Sequence, residues 1–233
     1  MGALQQAKPD AVIYLAKPAL ANTAEAPFAI RSAVDALRRF SAECAELGVG
    51  RLVFASSAAV YGTREKSARR ESDAVHAHSP YAELKLRSEE VLGEISGSLG
   101  LSVLAFRIFN VYGPGFPNSL VNRLAMGDGR PPLVRNTENF VRDYIHAADV
   151  ALAFRAAMEA PSLDSPILNV GTGIGTSNRS LLALCANATY RDDPAPAAST
   201  FSIADITRIK ALWGFEPRIS LEAALKNPDQ FLH

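Results

Sequence analysis

Cysteine is scarce in this chain: two thiols, Cys44 and Cys185, in 233 residues. They lie far apart, each in a helix-like apolar stretch. That argues against a disulfide framework and for reduced, buried thiols of a cytoplasmic protein. Net charge is absent as well, with 24 basic residues against 24 acidic ones. No electrostatic case therefore arises for nucleic acid or an anionic membrane as a partner. No apolar run approaches the roughly 18 residues of a membrane-crossing helix, and no charged-then-apolar leader precedes Pro9. His76 and His78 stand in a polar loop without further ligand types at metal-site spacing, so no metal is expected. What remains is ordinary globular material, 48% hydrophobic and 21% charged, enough to bury a sizeable core.

Strand and helix patterns alternate along the first half. Val12–Ala16 is continuously apolar, as a strand buried on both faces is. Phe28 to Leu47 has helical periodicity and stops at Gly48. Arg51–Ser56 predicts the next strand, Ser79–Ile95 the next helix, and Leu101–Phe106 another strand. Prolines 114, 117, 131 and 132 then mark loops. A helix near Ala148–Glu159, a strand Ile167–Val170 and a small helix within Ile203–Trp213 follow, with a linker-like stretch from Asp192 to Ala198. This alternation predicts an α/β fold with a doubly wound sheet.

The chemistry-bearing segment is Tyr81-Ala-Glu-Leu-Lys85, about two dozen residues after Ser56-Ser57-Ala-Ala-Val-Tyr-Gly62. Ser79 and Pro80 make a good N-cap and first-turn pair, so Tyr81 opens a helix. Four-residue spacing stacks the phenol and the ammonium on one face. A cation there favours phenolate and lowers the tyrosine pKa, which suits proton exchange with a sugar or alcohol hydroxyl. Ser57, at the end of an apolar strand, is placed to share the hydrogen bond to the same oxygen. Gly171-Thr-Gly-Ile-Gly175 is the densest glycine cluster, but it lacks the third glycine of a dinucleotide fingerprint and reads as a structural turn.

Together with Phe106-Arg107-Ile-Phe-Asn110-Val-Tyr-Gly-Pro114, Val141-Arg142-Asp-Tyr-Ile-His146-Ala-Ala-Asp149 and Leu168-Asn-Val-Gly-Thr172, these segments resemble the extended short-chain dehydrogenases/reductases. The resemblance is to the NAD-dependent nucleotide-sugar epimerase/dehydratase group. It implies a catalytic set of Ser57, Tyr81 and Lys85, with Tyr81 as acid/base, Ser57 on the reacting hydroxyl, and Tyr81 and Lys85 also at the cofactor. It implies substrate contacts from Arg107, Asn110 and Arg142, a nucleoside-diphosphate sugar as substrate, NAD(P) as cofactor, and a homodimer built on the two long helices. From the residues alone, Arg107 stays open between a substrate contact and a buried ion-pair partner. His146 reads as a packed, hydrogen-bonded histidine and Trp213 as core.

Against that pattern the chain departs at several places. The strand, glycine-rich turn and helix that open the family fold have no counterpart here. The expected fold is therefore a Rossmann-like doubly wound parallel sheet truncated on its N-terminal side, with a small C-terminal substrate lobe. Residues 1–113 and 144–165 would form the core, and 114–143 and 166–233 the lobe. Val12–Ala16 would then be an exposed sheet edge. The family's asparagine is missing from Ser32-Ala-Val-Asp-Ala-Leu37, Lys17 replaces a small residue, and Arg191 is the one arginine near the diphosphate position. NAD(P) binding by this chain is therefore expected to be weak. Two other readings stand beside the redox enzyme: a cofactor-independent isomerase, lyase or cyclase on the same scaffold, and a non-catalytic binding or scaffold relative.

Overall fold

The protein is described by a computed structural model covering residues 2–18, 25–127, 129–135, 138–193 and 199–232. In chain order its first elements are α1 Ala3–Ala7, β1 Ala11–Tyr14, α2 Ala26–Glu46, β2 Arg51–Ser57, α3 Pro80–Leu99 and β3 Ser102–Ile108. Then come β4 Asn110–Tyr112, α4 Leu120–Met126, β5 Leu133–Val134, β6 Phe140–His146, α5 Ala147–Glu159 and β7 Ile167–Val170. The last are β8 Gly175–Ser177, α6 Asn178–Leu184, β9 Arg191–Asp192, β10 Thr200–Ser202, α7 Thr207–Trp213, α8 Leu221–Lys226 and α9 Pro228–Phe231. No described helix is long and apolar enough to cross a membrane.

The chain divides into two compact units: residues 1–62, 74–107 and 154–168, and residues 63–73, 108–153 and 169–233. This differs from the division expected from the sequence. Residues 63–73 belong with the second unit because their backbone is stitched there. Arg69 N–H donates to Ile203 O, Asp205 N–H to Arg69 O, and Phe201 N–H to Thr63 O. Residues 108–113 and 144–153 join them, since β4 pairs in parallel with β6.

The first unit is built on a sheet of strand order β1-β2-β3-β7, with β1 and β2 parallel in the register Ala11 to Arg51 through Tyr14 to Phe54. Successive side chains of a strand face opposite sides. Leu52, Phe54, Val103 and Ala105 pack with Leu37, Cys44, Val91, Leu92 and Ile95 of α2 and α3. Phe106, on the other face of β3, meets Phe154 of α5 with ring centroids 5.1 Å apart. Helices on both faces give the α/β, Rossmann-like layering that the alternation predicted. Arg51 fastens α5 from β2 by donating to the carbonyls of Ala157 and Met158.

The apolar stripe Leu84, Val91, Leu92 and Ile95, which the sequence offered to both the sheet and a dimer face, is buried within this unit. Outward, α2 and α3 present charge, including an Arg38–Glu94 pair at 2.8 Å. Among the described strands β1 ends the sheet order, with Ile13 and Leu15 exposed beside it. β1 stops at Tyr14, two residues short of the expected Ala16.

In the second unit β6 is central: β4 and β10 flank it in parallel and β8 pairs with it antiparallel. Its core gathers Tyr112, Val121, Leu124, Val134, Tyr144, Leu181 and Ala224. His146 is held as read, its ring Nε2 2.7 Å from the Phe231 carbonyl and its Nδ1 accepting from Ala148 N–H. Trp213 closes α7 half-buried, nearer the surface than a core residue. Pro194 to Ala198 of the linker-like stretch lie outside the described residues.

Candidate active site

Serine at position 79 begins the site. Its Oγ accepts from Ala82 N–H at 3.2 Å and caps α3, Pro80 follows in the first turn, and Glu83 adds an acidic residue where the helix dipole favours one. Tyr81, Lys85 and Glu89 are then spaced four apart and share one helical face. Ser57 ends β2, and its Oγ accepts from Ala59 N–H at the start of a short 3-10 turn.

This local folding brings Ser57, Tyr81 and Lys85 together in the first unit. The Ser57 hydroxyl is near enough to the Tyr81 phenol to act on its pKa, in the lowering direction. The Lys85 Nζ stands 5.7 Å from the centre of the Tyr81 ring and 4.6 Å from that of Phe54, and donates to the Ala55 carbonyl at 2.6 Å. Lys85 is only 3% exposed. Burial first, then the charge of Lys17, push its pKa down to about 8, with Glu89 acting in the opposite direction. Burial raises the Tyr81 phenol above its ordinary value, and the Ser57 hydroxyl only opposes this. The expected lowering of the Tyr81 pKa is therefore not the net effect in this chain.

Arg107 faces Glu89, with both side chains 5% exposed. Its Nε lies 3.1 and 3.2 Å from the two carboxylate oxygens and its Nη2 lies 2.7 Å from Oε2. Ser56 donates to the same carboxylate, and the guanidinium covers the Tyr61 ring at 4.7 Å. Of the two roles left open for Arg107, this geometry is that of the ion-pair partner. Glu89 was not singled out from the sequence, although its place one turn beyond Lys85 on an otherwise inward face was a readable signal.

Asn110 and Arg142 belong to the second unit. Asn110 Nδ2 donates to the Asp143 carbonyl. Arg142 Nη1 donates to the Val141 and Thr200 carbonyls, and its guanidinium lies 3.9 Å from the centre of the Phe140 ring. Between β6 and the glycine cluster sits Asp143, fully buried. It accepts from Thr172 N–H, Thr172 Oγ1–H, Gly173 N–H and Ala204 N–H. A Cβ on Gly171 would come within 2.7 Å of Asp143 Oδ2 and 2.6 Å of Ala204 Cβ, so only glycine lets the turn close on the carboxylate. Asp143 was missed because its ligands are distant in sequence. Arg191 lies exposed in β9.

The described residues fit one end of a nicotinamide dinucleotide and not the whole. Tyr81 and Lys85 bring a phenol and an ammonium side by side, polar groups of the kind a ribose hydroxyl could meet. In the second unit the N–H groups of Thr172 and Gly173 are already donated to Asp143, and in the first the Lys17 ammonium stands 5.7 Å from the centre of the Tyr81 ring. His76 and His78 are stacked, 6.1 Å between centroids, and no cluster of metal-binding side chains occurs among the described residues.

Comparison with known proteins places this geometry. The chain is 26% identical over 215 residues to the uncharacterized UDP-glucose epimerase YtcB of Bacillus subtilis (strain 168), spanning 88% of this chain and 67% of that one. It is 36% identical over 155 residues to UDP-glucose 4-epimerase 4 of Oryza sativa subsp. japonica, spanning 56% and 42%. Relative to these two proteins the chain thus covers 42% to 67% of their length. Among solved structures it resembles MoeE5 in complex with UDP-glucuronic acid and NAD, with a TM-score of 0.81 and 30% identity over 93% of this chain and 77% of that one. It also resembles the UDP-glucose 4-epimerase of Thermus thermophilus in complex with NAD, with a TM-score of 0.79 and 27% identity over 96% and 78%. Residues 1–171 match the NAD dependent epimerase/dehydratase family, and the chain belongs to that family.

Proposed function

We propose that the protein works on a nucleoside-diphosphate sugar as an epimerase, dehydratase or reductase, with Tyr81 as the proton-transfer group. The observation that carries this reading is the convergence of Ser57, Tyr81 and Lys85 at the junction of β2 and α3. The Ser57 hydroxyl stands near enough to the Tyr81 phenol to act on its pKa, so a sugar hydroxyl entering between them meets a donor and an acceptor at once. Ser57 holds that hydroxyl in line, and Tyr81 gives or takes its proton. Lys85, fixed on the Ala55 carbonyl, steadies the negative charge that the phenol acquires when it gives up a proton. Asn110 and Arg142 are proposed sugar and phosphate contacts by family resemblance. The family cofactor supplies hydride exchange when bound. A second reading, proton transfer without a nicotinamide, is favoured by Lys17, whose charge stands beside Tyr81.

The test is turnover of UDP-glucose, UDP-glucuronic acid and related UDP-sugars, with and without NAD, followed by product analysis. Tyr81→Phe is expected to lower turnover about 10²–10⁴-fold, the share of a general acid/base, while folding and substrate affinity hold. Full activity in Tyr81→Phe would overturn the assignment. A homodimer built on α2 and α3 is proposed as well, as the family resemblance implies. Light scattering at tens of micromolar should give twice the chain mass, and a strict monomer would refute it.

A further inference from the structure

We infer that Lys17 and Lys85, converging on the ring of Tyr81, form a two-ammonium site that takes the anionic group, carboxylate or phosphate, of a sugar-sized ligand. The inference deepens the proposed function and rests on its reading of Tyr81 as facing the ligand. Each Nζ lies 5.7 Å from the centre of the Tyr81 ring. Both lysines line one cleft of about 410 Å³ in the first unit, a volume suited to a small ligand. The other walls are apolar or hydroxyl-bearing, including Ala33, Phe54 and Ser32, and no carboxylate lines the cleft among the described residues.

Two like charges on the lining of one cleft repel each other, and an anion bound there offsets that repulsion. The nearest acid along α3 does not serve, because Glu89 is held by Arg107 and Ser56. Lys17 makes no ion pair among the described residues. After burial, its charge also helps push Lys85 toward the neutral form, with Glu89 acting in the opposite direction. Ligand classes follow from this chemistry: a sugar acid, or a small sugar phosphate, with its charged end at the lysines that line the cleft.

The test is calorimetric titration of the 233-residue chain at pH 7 with D-glucuronate, D-glucose and inorganic phosphate. Glucuronate is expected to bind about tenfold or more tightly than glucose, the scale of one charge-assisted contact. Lys17→Gln should abolish that preference and Lys17→Arg should keep it, while Lys8→Gln, which removes an exposed lysine on α1's C-terminal side, should leave it intact. Displacement of glucuronate by phosphate would assign recognition to the anion alone. Failure to displace it would assign recognition to the carboxylate on its sugar, and either supports the site. Equal binding of glucuronate and glucose, or an unchanged preference in Lys17→Gln, overturns it. A Tyr81→Phe variant that keeps full turnover would sink the proposed function without touching this binding measurement, so the two fail separately.

Discussion

Lys85 is a residue whose position costs stability. It is buried and its pKa is lowered to about 8, so below that pH the folded chain carries an ammonium that its surroundings disfavour. The unfolded chain keeps that proton up to the ordinary lysine range, near about 10.4. Between those limits the unfolded state binds more protons, and wild-type stability gains as pH rises through the window. The displacement corresponds to about 3 kcal/mol below pH 8, partly offset by the hydrogen bond to Ala55. Lys85→Met, which fits the apolar neighbour Phe54, is expected to match or exceed the wild-type melting temperature at pH 7. That relative advantage should shrink between about pH 8 and 10.5, and thermal denaturation of both proteins at pH 7 and 10 checks it. A difference in melting temperature that does not move with pH would mean the lysine titrates normally.

At the scale of elements, α3 carries the proposed proton-transfer group and a structural ion pair on one face. Tyr81 and Lys85 turn to the site, and Glu89 locks the same helix to β3 through Arg107. Removing one partner leaves the other as a buried, unpaired charge, which costs about 3–5 kcal/mol. Arg107→Met should therefore lower the melting temperature by about 6–20 °C at 2–4 °C per kcal/mol. Arg107→Met combined with Glu89→Leu should regain most of that loss, because no orphan charge remains. Circular dichroism melts of the three proteins decide it, and a double variant as unstable as the single one would refute the pairing argument. The strong local signals here were readable in sequence. Ser79-Pro80 marked the start of α3 within a residue, and the helical period of residues 28–47 foretold α2. Strand β6 was not foreseen, since Phe-Val-Arg-Asp-Tyr-Ile-His puts Arg142 and Asp143 mid-strand. Asp143 is tolerable inside only because Thr172, Gly173 and Ala204 supply its four donors, and nothing local announces partners 29 and 61 residues away.

At the scale of the whole molecule, the order of motifs along the chain disclosed the family, whereas the boundary between units did not follow from it. Motif order records ancestry, but residues 63–73 join the second unit through backbone bonds to Ile203 and Phe201, which no motif encodes. The same distinction bears on the cofactor. The family is NAD-dependent, yet grip on a dinucleotide comes from backbone N–H groups and a helix N-terminus around the pyrophosphate. In the glycine-rich turn of the second unit, Thr172 and Gly173 spend their N–H groups on Asp143. Lys85 and Tyr81 then offer one or two charge-assisted contacts, each worth about 1.5–3 kcal/mol. Micromolar binding needs about 8 kcal/mol. The 233-residue chain is therefore expected to bind NAD with a dissociation constant well above the micromolar range. Calorimetric titration of the chain with NAD and NADP measures this directly. A micromolar constant would show that this chain's residues grip a dinucleotide after all.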